Sequence, residues 1–419
     1  MFKRQHAERR THFGHVVSQW AKLVVVMAAA LGTPAGAAVA HANAWTSQRT
    51  PALRRWQTAT FEAVSCSSAV ACVAVGRQQR SGRASWMPLA ERFSRGHWSN
   101  QVLPRESQGA LTAVSCRSSS SCLAVGWIGN TCRHHVPPVN CVSQLVEHFG
   151  PGGWSVVRAP ISGEATLTSV SCAGLDMCIA VGETSGENPS PLAERFDARR
   201  LTLVSPAATV LASGNEHFAG RLASVSCTSP EDCTAIGDEV IGGAVNPGGE
   251  GGAPPGILEV PLADRWDGST WNAEPFSATL GWSSGSGISC QAGGMCVAIG
   301  RGRNAALPLA RFDGNNWIAE PISLPASQGH PALSALSCSS WNACTAVGSA
   351  GPIERPKVTV LRFDGTAWRR QTLPTTVTRA ASPQGPELTG VSCPTTRLCF
   401  AVGYTRASRP LVLKWAGGH

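Results

Sequence analysis

Cysteines are the residues of this chain best suited to chemistry, and fourteen of its 16 recur as seven pairs with five residues between the partners. The pairs are Cys66-Cys72, Cys116-Cys122, Cys172-Cys178, Cys227-Cys233, Cys290-Cys296, Cys338-Cys344 and Cys393-Cys399; the last two cysteines, Cys132 and Cys141, share one insertion. Thiolates so arranged could hold a metal, cycle between thiol and disulfide, or crosslink the fold. Zinc sites usually space paired cysteines by about two to four residues and add a second ligand pair, which these copies lack. No cysteine is left over as a nucleophile or lone redox thiol. Eight disulfides are therefore expected, Cys132-Cys141 among them, with no metal, no cofactor and no catalytic residue assigned.

The elements that must position these pairs repeat with them. Each copy begins with a short apolar run ending in Ser-Cys, as in Phe61 to Cys66 and Leu388 to Cys393. A second run starts at the second Cys and ends in Ala-Val-Gly or Ala-Ile-Gly, at Gly76, Gly126, Gly182, Gly237, Gly300, Gly348 and Gly403. A third alternates apolar and polar residues up to an aromatic, as in Leu89-Ala-Glu-Arg-Phe93, and a fourth starts at a Trp: Trp98, Trp154, Trp271, Trp317 or Trp368. Alternation and β-branched enrichment mark strands, and no segment beyond the N-terminal apolar run has a helical period. Four strands per unit at a period of roughly 45 to 60 residues is the pattern of a β-propeller blade. The fold class expected is all-β, a seven-bladed β-propeller of four-stranded antiparallel blades with one Cys-x5-Cys disulfide in each. The seventh copy lacks a fourth strand, and Arg54-Arg55-Trp56-Gln57-Thr58 is similar to Trp368-Arg-Arg-Gln-Thr372. An N-terminal strand from that segment is expected to close the last blade, leaving residues 43–53 as a linker and 54–419 as one domain.

Residues 1–42 read as a secretory signal: a basic region (Lys3, Arg4, Arg9, Arg10, Lys22), an apolar run from Leu23 to Leu31, and Ala40-His41-Ala42 as the cleavage pattern. The alternative is an uncleaved anchor, although the run is short for a bilayer span. The even cysteine count agrees with an oxidising compartment, so the protein is expected to be secreted or extracellular, with possible association with the cell envelope and no transmembrane domain after cleavage. Those 42 residues carry five Lys/Arg and one Glu, so +5 of the formal +9 belongs to the remainder. That charge is scattered, with no basic run interleaved with aromatics, and nucleic acid is not expected as a partner.

In an up-and-down blade the first-to-second and third-to-fourth joints lie on one face of the ring, and the second-to-third and interblade joints on the other. The short stapled joints all fall on the first face and the variable ones all on the second, which is therefore the expected binding face. Candidate binding residues there are Trp127, Arg133, His134 and His135 of the insertion carrying Cys132 and Cys141, and Arg77, Arg301, Arg303 and Tyr404 around the channel mouth. The bland account of each is a solvated surface residue, and the Gly- and Pro-rich stretch from Asp238 to Pro261 reads as a linker or a flap.

The turns Asp267-Gly-Ser-Thr-Trp271, Asp313-Gly-Asn-Asn-Trp317 and Asp364-Gly-Thr-Ala-Trp368 resemble, in part, the Asp-box turns of sialidase-type propellers, which have one more residue between Asp and Gly. Asp and Gly making the turn and Trp packing between blades accounts for them. From about residue 54 to 415 the repeat resembles the Cys-rich repeat of secreted β-propeller-like proteins of high-GC Gram-positive (actinobacterial) type. That resemblance implies fold and secretion and carries no catalytic residue. The expected function is a monomeric, non-enzymatic binding or interaction module for an extracellular glycan or protein. The alternatives are a sialidase-like glycan hydrolase or lyase, which wants convergent Arg with a Tyr or paired carboxylates, and a purely structural envelope protein.

Overall fold

The computed structural model describes residues 44–51, 56–80, 85–104, 108–132, 139–160, 164–174, 177–185, 189–197, 200–204, 217–242, 257–274, 282–302, 309–320, 332–350, 357–378, 387–405 and 407–417, with the side chains at 56–57, 130–141, 217–218, 242 and 257–258 left aside. The expected signal segment lies outside these residues. The described strands form seven four-stranded antiparallel sheets, six of them in simple up-and-down order and the seventh completed by an N-terminal strand. Their innermost strands are Trp56–Ser68, Gly109–Ser118, Ala165–Cys172, His217–Ser229, Trp282–Gln291, Ala332–Ser340 and Glu387–Thr395, which begin blades one to seven. Each blade buries apolar residues against its neighbour, so the core is seven interblade layers rather than one centre. The layer between blades seven and one, for instance, joins Phe61, Phe93 and Trp98 to Phe400 and Val412.

Ring closure occurs through an N-terminal strand, but not at the residues expected. Ala44–Ser47 pairs antiparallel with the last strand, Pro410–Ala416, and sets Trp45 opposite Trp415. This is the same register that sets Trp98 opposite Phe93 and Trp368 opposite Phe363. The closing strand thus falls inside the stretch expected as a linker. Trp56, to which that role was assigned, instead opens the inner strand of blade one, opposite Arg80. The fourth strands carry little beyond their Trp to tell one candidate from another, and two Trp-containing segments preceded the first copy. A short helix, Thr375–Thr378, the only one among the described residues, was also not expected; it seats Val377 in the layer between blades six and seven.

Seven disulfides join facing cysteines of the first and second strands, with Cα atoms 3.9 to 4.0 Å apart. Backbone pairing sets Asn130 opposite Cys141 and Cys132 opposite Val139, but the expected Cys132-Cys141 bond itself falls outside the described side chains.

The residues flanking each staple tie blade to blade. The serine before the first Cys accepts the backbone N–H of the first Cys in the following blade at 2.9 to 3.0 Å, and the series is complete from Ser65 and Cys116 round to Ser392 and Cys66. The basic residue of the third strand reaches the same way. Arg92 lies over Phe149, Arg265 over Phe312, Arg311 over Phe363, Arg362 over Trp415 and Lys414 over Phe93, with guanidinium or ammonium 3.2 to 5.9 Å from the ring centre. Arg92, Arg311 and Arg362 also donate to loop carbonyls of the next blade, at Ser119, Trp341 and Thr396. These side chains are clamps and not the solvated face that alternation suggests.

Every inner strand carries a bulge one residue after the residue facing the Gly of Ala-Val-Gly or Ala-Ile-Gly, as between Phe61 and Ala63; that residue is Phe or Leu except for Gly285 in blade five. The bulge swings the preceding carbonyl toward the second strand. A Cβ at Gly76 would sit 2.0 Å from the carbonyl oxygen of Thr60, and at Gly403 the same distance from that of Glu387. The glycine is required by this close approach, not by a left-handed φ.

Candidate binding site at the channel mouth

The bulges also set what lines the channel. Each blade contributes a bulged residue, a small residue and an aliphatic one, and together they enclose about 220 Å³. The aliphatic tier is Val64, Val114, Val170, Val225, Ile288, Leu336 and Val391. In four blades the bulged residue is a hydroxyl that belongs to the scaffold. Thr112, Thr168, Ser286 and Thr389 each donate to a carbonyl of the next inner strand, at Leu167, Leu222, Leu333 and Phe61, at 2.7 to 3.2 Å.

That hydroxyl belt is broken at three blades, one of them blade four, where Ala223 has no hydroxyl. Blade one has Glu62 at the bulge, and in blade six Ser334 turns instead to Glu387 Oε1, donating at 3.4 Å. Glu62 Oε1 accepts the Thr60 hydroxyl at 3.1 Å and lies 3.4 Å from Nε of Arg77, whose guanidinium rests 4.8 Å from the ring centre of Trp86. The hydroxyl of Tyr404 donates to Glu387 Oε2 at 2.6 Å. Blades six, seven and one are consecutive around the ring, so these groups form one polar cluster at the end of the channel on the variable face.

Burial pushes the Glu62 carboxyl above its ordinary value, with Arg77 and Thr60 pulling it down and Glu387 adding to the rise. Tyr404 is likewise raised, first by burial and then by its bond to the Glu387 carboxylate; Glu62 acts in the same direction and Arg77 against it. A quarter of the Glu62 side chain and 38% of Arg77 remain exposed, so the cluster is reachable from solvent. Two carboxylates, a phenol, hydroxyls and one guanidinium can accept and donate hydrogen bonds to a polar ligand. The pair Glu62 and Arg77 leaves little uncompensated positive charge.

Of the residues singled out from sequence, Arg77 and Tyr404 meet here. Each follows its blade's Gly, as do Trp127 of blade two and Arg301 of blade five. Trp127 is partly buried on the rim, and Arg301, exposed, stands on blade five, with blades six and seven between it and the Arg77 of blade one. Arg133, His134, His135 and Arg303 lie outside the described residues. Glu62 and Glu387 were missed. A signal for Glu62 existed in the aligned copies, where Phe61-Glu-Ala-Val stands against Leu111-Thr-Ala-Val and Leu167-Thr-Ser-Val.

The stapled face has depressions of its own. One of about 570 Å³ between blades four and five is lined by Glu231, Asp232, Arg265, Asp267 and Glu274, and another of about 630 Å³ between blades three and four by Arg195, Asp197 and Arg200. Arg265 is held between Asp232 and Glu274, and Asp267 Oδ1 accepts the N–H groups of Ser269 and Thr270, which lower its carboxyl well below the ordinary value. Asp313 and Asp364 cap their turns in the same way. The Trp that ends each such turn packs at a tilt against its own blade's aromatic, with ring centres 5.3 to 5.6 Å apart. Among the described residues, no cluster of His, Cys, Asp and Glu forms a metal site.

No protein-family model matches the chain, and no curated protein sequence matches it. Its fold is similar to solved propellers. YCF48 bound to D1 peptide shares 13% identity over 90% of this chain and 98% of that one, with a TM-score of 0.52. An ulvan lyase of a polysaccharide lyase family shares 8% over 86% and 95%, with a TM-score of 0.50. The fucose-specific lectin from Aleuria aurantia shares 7% over 86% and 93%, at 0.41. At these identities the similarity shows a propeller and nothing finer.

Proposed function

We propose that this chain is an exported, monomeric binding module that engages an extracellular glycan or protein at the channel mouth of blades six, seven and one. The observation that supports this most is the convergence of Glu62, Arg77, Glu387 and Tyr404, with Glu62 at a bulge position that carries a hydroxyl in five of the other blades. A scaffold would be served by threonine at Glu62, as at Thr112 and Thr168, so the carboxylate is an addition to the fold and not part of it. Seven staples accord with an oxidising compartment. YCF48, of similar fold, has been solved with a peptide bound, which sets a precedent for a propeller in this role. The test is a screen of the purified protein against a glycan array and a panel of extracellular proteins, repeated with Glu62→Gln. Retention that the substitution abolishes supports the reading. Retention that it leaves unchanged overturns the placement.

One observation favours a second reading, a glycan hydrolase or lyase: Tyr404 is bonded to a carboxylate beside a second carboxylate and an arginine. Against it, Arg77 is matched by Glu62, and the exposed Arg301 stands on blade five, with blades six and seven between them. Turnover of chromogenic glycosides abolished by Tyr404→Phe would replace binding with catalysis.

A further inference from the structure

We infer that the mouth of blades six, seven and one recognises a neutral, hydroxyl-rich sugar unit, a narrowing that rests on the binding role proposed above. Charge excludes the polyanions that exposed rim arginines would suggest. Arg77 is already 3.4 Å from Glu62, and Glu387 stands beside them, so a sulfate or uronate entering the mouth would meet two carboxylates and one engaged guanidinium. A vicinal pair of hydroxyls needs the opposite: acceptors for its protons and a donor for its lone pairs. Glu62 and Glu387 supply the first, through lone pairs beyond those that take the Thr60, Ser334 and Tyr404 protons, and the N–H groups of Arg77 the second.

Aromatic placement agrees. The outer-strand tryptophans are spent on packing, with Trp98, Trp271 and Trp317 exposed by only 5 to 6%. Trp86 and Trp127 belong to blades one and two on the rim of the same face and remain partly exposed, and the chain's only tyrosine completes the series on blade seven. Such rings cover the C–H faces of sugars at low entropic cost. Size sets the unit. The channel beneath the mouth, which Glu62 lines but Arg77, Glu387 and Tyr404 do not, encloses about 220 Å³, less than the roughly 300 Å³ at which pockets for drug-sized ligands begin, so no more than one ring of a chain can reach into it.

The test is a binding titration of the full chain against neutral gluco-, manno- and galacto-oligosaccharides, with polygalacturonate, heparin and a lysine-rich peptide as rivals, repeated for Glu62→Gln, Tyr404→Phe and the stapled-face control Glu231→Gln. We expect one neutral series to bind, about tenfold or more weaker in the first two variants and unchanged in the control, as loss of a charged or buried partner implies. Thermal melts and circular dichroism of each variant separate a folding defect from a lost contact. Preference for either polyanion or for the peptide, sensitive to Glu62→Gln, would overturn the sugar assignment and leave the mouth a binding site. Failure of every neutral sugar to bind would overturn the sugar assignment alone. Sugar binding untouched by both mouth variants would overturn both readings.

Discussion

The hydroxyl of Ser392 accepts the backbone N–H of Cys66 at 3.0 Å, joining the seventh blade to the first across 326 residues of sequence. It is one of seven equivalent bonds, and the only one that spans the seam where the chain begins and ends. Together with the pairing of Ala44–Ser47 on Pro410–Ala416 it makes the ring continuous and leaves blade seven the same short outer edge that every blade has.

Ser392→Ala leaves the Cys66 N–H without its partner, and we expect a loss of about 1 to 3 kcal/mol by denaturant titration. Ser171→Ala, inside the ring, removes the equivalent bond to Cys227 and should cost a similar amount. A closing variant that was neutral while the interior one was costly would show that the seam is not held by this bond.

Gly76→Ala places a methyl 2.0 Å from the Thr60 carbonyl oxygen, so the bulge and the second strand cannot both keep their positions. We expect destabilisation above about 4 kcal/mol, the range of severe core defects, read as loss of the cooperative melt. By contrast Gly152→Ala, in an exposed turn with nothing within 4 Å of the new Cβ, should be within about 0.5 kcal/mol of wild type.

Glu91 is fully buried in the third strand of blade one, and burial pushes its carboxyl from 4.5 to about 8. A raised carboxyl binds its proton more tightly in the folded state than in the unfolded one. Its contribution is therefore complete below pH 4.5 and is lost as the pH climbs to 8 and beyond. Glu194, raised to about 7, acts in the same direction. Denaturation midpoints should fall across this window, and Glu91→Gln should flatten the fall. A midpoint that rises with pH over the same range would contradict the sign.

Peptide mapping by mass spectrometry under non-reducing conditions should return the seven Cys-x5-Cys loops, each worth on the order of 2 kcal/mol, and Cys132 joined to Cys141. Cys66 joined outside its own copy would contradict the staple.

The blades, their number, the staples and the packing Trp were legible because they depend on residues near in sequence and repeated seven times. What was not legible depends on contacts between copies. The serine before Cys reads as part of a strand until Ser65 is seen holding Cys116, and Arg92 reads as a solvated residue until it is seen over Phe149. The closing strand was placed about ten residues too late, because Trp45 and Trp56 carry the same local signal and only the register opposite Trp415 separates them. Arg77 and Tyr404 were singled out by their position after the blade glycine. Glu62 and Glu387 were not, since their closeness is set by ring closure between residues more than 300 positions apart.

The central claim, that the chain binds its ligand at this mouth, is tested most directly by comparing the affinity of wild type, Tyr404→Phe and Glu231→Gln for the same neutral oligosaccharide. We expect Tyr404→Phe to weaken binding about tenfold, through the lost hydroxyl and its bond to Glu387, while Glu231→Gln binds as wild type. Binding that survives Tyr404→Phe and is lost in Glu231→Gln would move the site to the stapled face and contradict it.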